Sequence, residues 1–518
     1  MKEKHAEQDH IGKRVFRGTL IIVCVSVLAK LSAFLSEAVN AAYLGTTYQS
    51  DAFFMVSSIV QMLCPMLNVG IFKVFLPIYK DRITQNDREG AFRFADQMIS
   101  FFALASIAVA ALLAVFAGPV ASVVAPGFVG ETRELCVEML RISAPAYIFI
   151  IVSGIYAAML QCHNKFFGSQ IREVASHVPV ILAALFFYHR FGIFAMAVAM
   201  VAGGIFRLLI ELPFVDWGYR FKPCLTFHGE GFSLCLKRLP SAMLSSGVQQ
   251  INTLVDRAMA SLFPEGAVSG MNYGHRLTNV FSGLLSTAIS TALFPQMVEL
   301  ISQKKHDELN RSLTRILSIF MLLMIPVTCA CMLFSQDLVR AVFERGAFQE
   351  ESVALTAGVF TFYSLGLLFV ASSTVVSNVF YGSGDTRTPL IIGLIHLGVN
   401  VALNLTLAHF MGVNGLALAT SLSAMITLGI RCFCVRRFAQ IDWKALGKTF
   451  CKVLLAAGVS CGAARAAVSL LHLDVYVRLI LAVAIGIALY LPAVKLLRVR
   501  EIEDLIGLLR KKLRPGTK

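Results

Sequence analysis

Apolar stretches of about 20 residues recur along nearly the whole chain, each closed by a short polar or basic break. At a rise of about 1.5 Å per residue they match a hydrocarbon core roughly 30 Å thick, so the pattern predicts membrane-spanning helices. Counting runs between breaks gives about fourteen. The first six lie near 17–44, 52–79, 95–123, 137–161, 173–189 and 191–213. The next six lie near 240–263, 273–301, 312–334, 352–381, 388–409 and 412–434, and a last pair near 447–470 and 475–497. His189, Arg190 and Gly192 mark the turn between the fifth and sixth. The run from Arg17 to Tyr43 follows a basic stretch, as in a signal peptide, but it is too long for that and is expected to be an uncleaved first helix.

The basic residues test this count. With the N-terminus inside, the inner connections and tails hold about 32 Lys and Arg, against about 4 in the outer connections. Lys13, Arg14 and Arg17 precede the first span, and Lys80, Arg82, Arg88 and Arg93 follow the second. Arg431, Arg436, Arg437, Lys444 and Lys448 follow the twelfth. A missed or invented span would invert the alternation downstream, so both termini are expected on the cytoplasmic side.

The layout also repeats. The second span ends in Phe75-Leu76-Pro77 and the eighth in Leu293-Phe294-Pro295, with Glu37 and Asp256 at similar distances upstream. Two six-helix halves follow, and because six is even both enter the membrane in the same sense, as a parallel rather than inverted repeat. The expected organisation is an N-terminal lobe over 1–220, a C-terminal lobe over 221–440, and a last segment, 441–518, with helices 13 and 14 and a basic tail. In that tail Ile502, Leu505, Ile506, Leu509 and Leu513 share one helical face, beside Arg510, Lys511, Lys512 and Arg514. Such a helix can lie on an anionic inner leaflet.

Composition agrees with this picture. Of 518 residues, 57% are hydrophobic and 15% charged, with a mean hydropathy of +0.72. A soluble domain carries roughly 25% charged residues, so soluble enzymes and disordered or fibrous chains are excluded. The formal net charge of +15 is carried mostly by residues that orient the helices, so no nucleic-acid partner is implied. The twelve cysteines form no C-x-x-C pair and sit mostly in apolar runs, as small hydrophobes. The longest connection, from Val215 to Pro240, places Trp217, Tyr219 and Phe221 among basic residues and suits an interfacial segment.

Charges at membrane depth carry the chemistry, because each costs at least about 2.5 kcal/mol near the centre unless protein or water surrounds it. Arg141, Arg315, Lys452 and Arg478 sit near helix ends and can snorkel. Arg207 and Glu211 are four apart and are expected to pair. Lys30 lies near the middle of the first span with Glu37 two turns further on, and Asp256 and Arg257 occupy the outer half of the seventh. Asp51 and Arg276 begin the second and eighth, and Lys73 lies within two turns of an inner end. Lys30, Lys73, Arg257 and Arg276 form the candidate cationic, anion-binding set, with Glu37, Asp51 and Asp256 as supporting acids in one central cavity. The competing reading is a set of structural ion pairs. No phosphate-binding loop, H-E-x-x-H or G-x-S-x-G motif is present, and no metal site or cofactor is expected. Any transport must then draw on the membrane potential or on a sodium or proton gradient.

Several stretches resemble the MurJ/MviN lipid II flippases of the MOP flippase/exporter superfamily. They are Leu44-Gly45 with Ser50-Asp51-Ala52-Phe53-Phe54, Phe75-Leu76-Pro77, Ala125-Pro126-Gly127-Phe128 and Gln250-Ile251-Asn252. Asn272-Tyr273-Gly274-His275-Arg276-Leu277, Phe380-Tyr381 and Asp385-Thr386-Arg387-Thr388-Pro389 extend the likeness from about Ala29 to the last spans. The resemblance implies a MATE-like fold with two six-helix lobes about a cationic cavity, and two final helices forming a groove for a polyprenyl tail. It implies movement of undecaprenyl-pyrophosphate-linked peptidoglycan precursor, lipid II, from the inner to the outer leaflet. By the same resemblance Arg276 is a cavity arginine and Asp51 the acid after the first loop. Lys30 and Glu37 keep the charges of an Arg–Asp pair, although lysine lacks the bidentate fork of arginine. Ser36 and Cys64 stand where typical members carry arginines, and Asp256-Arg257 with Lys73 offer replacement charge.

The reading is an all-α integral membrane flippase rather than an enzyme, monomeric, multi-pass in the cytoplasmic membrane, with a polyprenyl-pyrophosphate-linked glycan and the bilayer as partners. The alternative is a sister flippase for another polyprenyl-linked oligosaccharide, such as an exopolysaccharide or O-antigen unit. A MATE-type exporter of cations would favour acids over Lys30, Arg257 and Arg276, and a membrane glycosyltransferase would need a sizeable polar loop.

Overall fold

A computed structural model describes residues 24–303, 305–471 and 473–499. The basic positions Lys13, Arg14 and Arg17 and the amphipathic tail beyond Arg500 lie outside the described residues. Among the described residues the chain is helical, without strands.

The helices come in two matching series. The first comprises α1 (Cys24–Leu44), α2 (Tyr48–Thr84), α3 (Arg88–Val115), α4 (Ala117–Val124), α5 (Gly130–Ser143), α6 (Ala146–Cys162), α7 (Phe166–Leu182), α8 (Tyr188–Phe191) and α9 (Phe194–Leu209). The second comprises α10 (Glu230–Ala260), α11 (Ala267–Ser302), α12 (His306–Leu333), α13 (Ser335–Phe343), α14 (Glu350–Ser364), α15 (Leu367–Gly382), α16 (Arg387–Met411) and α17 (Val413–Cys434). The appended pair is α18 (Trp443–Ser469) and α19 (Val475–Leu496). Both α3 and α12 have 28 residues and break at a phenylalanine, Phe116 (φ −93°, ψ 21°) and Phe334 (φ −111°, ψ 22°). Both series then bend, by 44° between α5 and α6 and by 40° between α14 and α15. Both turn at a glycine with left-handed φ before the last helix, Gly192 at +58° and Gly412 at +59°. That conformation is costly for any residue with a Cβ. The expected turn after His189 and Arg190 is thus present.

Among the described residues ten segments are long and apolar enough to cross a membrane, and up to twelve if each bent pair is one span. Helices α10 and α11, 31 and 36 residues long, stand where the seventh and eighth spans are expected and are not among those. They carry Gln249, Gln250, Asn252, Asp256 and Arg257, and Asn272, His275, Arg276 and Asn279. Prolines do not end the helices where the sequence suggests. α2 continues through Pro65 and Pro77 to Thr84, and α11 continues past position 295 to Ser302. A proline inside a long helix removes one hydrogen bond, and neighbouring turns and helices hold the rest. The starts follow expected capping chemistry: the Asp87 and Asp442 carboxylates accept from the Gly90 amide at 2.9 Å and the Ala445 amide at 3.0 Å.

Contacts divide the chain into two units, Met1–Ser269 and Gly270–Lys518. Helix α10 falls in the first because it runs antiparallel along α2. Arg257 meets Ser58, a Cβ on Gly247 would sit 2.6 Å from Met66 Sδ, and one on Gly70 would sit 2.8 Å from Met243 Cγ. The first unit's core stacks Phe75 between Tyr79 and Phe94, with ring centroids 5.3 and 5.2 Å apart. The second unit's core joins Phe320, Leu317, Val376, Phe380, Val453 and Val494. Large apolar side chains such as Phe186, Leu455, Val459 and Ile480 stand exposed on the outside, as expected where lipid replaces water.

Candidate functional site

Helix α1 is two-faced. Val27, Leu28, Leu31 and Leu35 form an exposed apolar stripe, while Ser36, Glu37 and Asn40 are buried on the other side. Seven residues bring a helix to within about 20° of two full turns, so Lys30 shares the face of Glu37, about 100° or more from the three leucines but only about 60° from Val27. Lys30 is exposed.

Helices α2 and α10 bury further candidate residues. Arg257, 6% exposed, donates from Nη1 to the Ser58 hydroxyl and lies 3.4 Å from the Phe54 carbonyl oxygen. Asn252 donates to Asp256 Oδ2 at 3.3 Å, and both are buried. Asp51 accepts from the backbone amides of Gly266 and Ser269, each at 2.8 Å. It thus satisfies amides at the start of α11, where a carboxylate suits the positive end of the helix. Lys73 is exposed on α2, four residues from Val69 and from Pro77, which share its face.

Arg276 falls in the second unit, half-buried on α11. The neighbouring His275 ring lies 5.6 Å from that of Tyr363, and Asn279 Nδ2 lies 3.3 Å from His275 Nδ1. Helix α11 approaches α14 closely there, since a Cβ on Gly274 would meet Val359 Cγ1 at 3.0 Å. The structure thus joins Asp256 and Arg257 to polar groups of α10 and α2, gives Asp51 a capping role, and leaves Lys30 and Lys73 exposed. Asn252 and Ser58 are members of this group that charge alone does not reveal. Among the described residues no three of His, Cys, Asp and Glu come close enough to hold a metal ion, and all twelve cysteines are free thiols.

The expected partner of Arg207 is corrected. Arg207 does not pair with Glu211 four residues on; its Nη2 lies 2.5 Å from Glu173 Oε1 on α7. Glu211 instead accepts from the Ser153 hydroxyl at 2.7 Å and lies 3.7 Å from Arg172 Nε. The close packing of α7 on α9, where a Cβ on Gly203 would be 2.7 Å from the Ser176 carbonyl, makes the interhelical partners nearer than the one along the helix. The connection after α9 packs on protein at several points. Tyr219 is buried and donates to Asp96 at 2.7 Å, Gln97 donates to the Thr226 and His228 carbonyls, and Trp217 stacks on His163 at 3.9 Å. Tyr219 and Trp217 thus have protein partners within reach. Burial, with Arg88 and Lys165 nearby, holds the His163 imidazole below its usual pKa, while the hydrogen bond from Lys165 holds Asp216 below the usual carboxylate range.

The sequence model of the family described as lipid II flippase MurJ matches residues 40–484. A probable lipid II flippase MurJ of Rickettsia prowazekii (strain Madrid E) is 26% identical over 448 residues, covering 85% of this chain and 88% of the relative. A solved lipid II flippase MurJ in an inward closed conformation superposes with a TM-score of 0.80 at 23% identity, covering 94% of this chain and all of the other. An inward-facing multidrug-resistance MATE transporter of the MOP superfamily superposes with a TM-score of 0.65 at 15% identity, over 83% of this chain and 99% of the other. The fold is therefore that of MOP transporters, and the chain is a multi-pass membrane protein. With the family match running over most of its spans, the chain belongs to the lipid II flippase MurJ family.

Proposed function

We propose that this chain carries lipid II, undecaprenyl pyrophosphate bearing the peptidoglycan disaccharide-peptide, from the inner to the outer leaflet by alternating access. The observation that carries this reading is the family match over residues 40–484, joined to cations at membrane depth in the first helices of each half. A pyrophosphate is bound best by charge-assisted donors. Lys30, exposed on α1 and on the face of Glu37, and Arg276 are the residues assigned to it, with Arg257 and Lys73 adding positive charge. Glu37 and Asp256 orient those cations, and Asp51 secures the start of α11.

The lobes at 1–220 and 221–440 act as the moving halves, with 441–518 appended to the second. The protein works as a monomer in the cytoplasmic membrane with both termini inside. Without a nucleotide site, the cycle is driven by the membrane potential or by a sodium or proton gradient. Complementation of a strain depleted of its own lipid II flippase tests this reading. Growth is expected, and absence of rescue with confirmed membrane expression contradicts it.

A further inference from the structure

The two helix series provide an internal comparison. Helix α4 follows Phe116 as α13 follows Phe334, at nearly the same backbone angles. Three residues after the phenylalanine the first series has Pro119 and the second Asp337, and α4 carries no charged residue at all. Only the second series is followed by an extra helix pair, and Asp337 is bound to both members of it.

Asp337 is 3% exposed. Its Oδ2 accepts from Arg465 Nη1 on α18, and its Oδ1 accepts from Arg478 Nη1 on α19 at 3.1 Å. The Arg465 guanidinium lies over the Phe334 ring, 5.3 Å from its centroid, and Arg478 Nη2 donates to the Leu473 carbonyl at 3.1 Å. One turn further along α13 the Tyr476 hydroxyl donates to the Ala341 carbonyl at 3.1 Å and accepts from Arg345 at 2.8 Å.

Apolar packing at this end is thin. The fully buried cluster is only Phe334, Ala464, Val468 and Ala482, with Leu338, Leu479, Leu481 and Ile485 half-buried against it, against the far larger core at the other end. The opposite end of the pair rests on the main core of the second unit through Leu446, Val453, Ala456, Ala457 and Val494, with Tyr490 donating to the Leu322 carbonyl at 2.7 Å. One end is thus set by apolar burial and the other by a carboxylate shared between two arginines. Those arginine side chains remain 40% and 28% exposed, so water can reach the clasp and exchange with it.

We propose that Asp337 is a positioning residue: its carboxylate clasps the Arg465 and Arg478 ends of the last helix pair to α13, and transport depends on that placement. The transport half rests on the flippase reading above; the clasp does not. Hydrogen exchange on the full-length protein in lipid nanodiscs separates the two. Asp337→Asn is expected to raise amide exchange at the C-terminal turns of α18 and the N-terminal turns of α19 by about tenfold or more. Exchange around Val453 and Val494 should stay within about twofold. Lipid II translocation is expected to fall by about tenfold, and Asp337→Glu, which keeps the charge, is expected to restore most of it. Should Asp337→Asn not accumulate, Arg478→Gln carries the same prediction. Unchanged exchange overturns the clasp, and raised exchange with full translocation overturns its role in transport. A wild-type chain without lipid II translocation overturns the functional reading, while the exchange result still decides on the clasp.

Discussion

At the residue scale, the charged groups at membrane depth divide by what they touch. Arg257 and Asp51 are buried and hydrogen-bonded to neighbouring elements, whereas Lys30 is exposed. Arg257→Ala strips Ser58 of its donor, and Asp51→Ala leaves the amides of Gly266 and Ser269 without their acceptor. Each should lower stability by about 1–3 kcal/mol, read as thermal stability in detergent. Lys30→Ala and Arg276→Ala should instead leave membrane level and thermal stability near wild type while abolishing transport; loss of expression would favour the ion-pair reading. His163 provides a pH test away from the membrane. Its folded pKa is held below the usual value of 6.5, chiefly by burial. Its contribution is therefore fully present above about pH 6.5 and is lost as pH falls through the folded pKa. Trp217, stacked on that ring, should report the change by fluorescence in a Trp443→Phe background, and His163→Phe should remove the transition. A signal unaffected by that substitution contradicts the assignment.

At the element scale, small residues decide where helices approach. A Cβ on Gly415 would lie 2.3 Å from the Leu407 carbonyl oxygen, whereas one on Gly458 meets nothing within 4 Å. Gly415→Ala is expected to cost about 1–3 kcal/mol as the α16–α17 pair is forced apart, and Gly458→Ala to be tolerated; equal thermal stability of the two variants would contradict this packing. Helices and their turns were legible because apolar runs, basic breaks and a turn glycine such as Gly192 act locally. The continuation of α2 past Pro77 was not, since neighbouring helices rather than local preference sustain it. The partners of Arg207 and Tyr219 were hidden for the same reason: a charge or ring announces that it needs a partner, but packing selects which one. Among the candidate site residues, depth and charge showed Lys30 and Arg257, while the capping role of Asp51 depended on Gly266 and Ser269, more than two hundred positions away.

At the scale of the whole molecule, the repeat and the sparse charge are the main facts. Two helix series share a broken third helix, a bent pair and a glycine turn, and an extra pair follows only the second. With 15% charged residues, the few cations kept at membrane depth need a reason, and an anionic pyrophosphate is the one the family supplies. The most direct measurement is translocation of fluorescent lipid II by the purified protein in proteoliposomes under an imposed membrane potential. The account predicts leaflet exchange with wild-type protein and none with Lys30→Ala or Arg276→Ala. Exchange that persists at wild-type rates in both variants, or is absent from well-folded wild type, would contradict it.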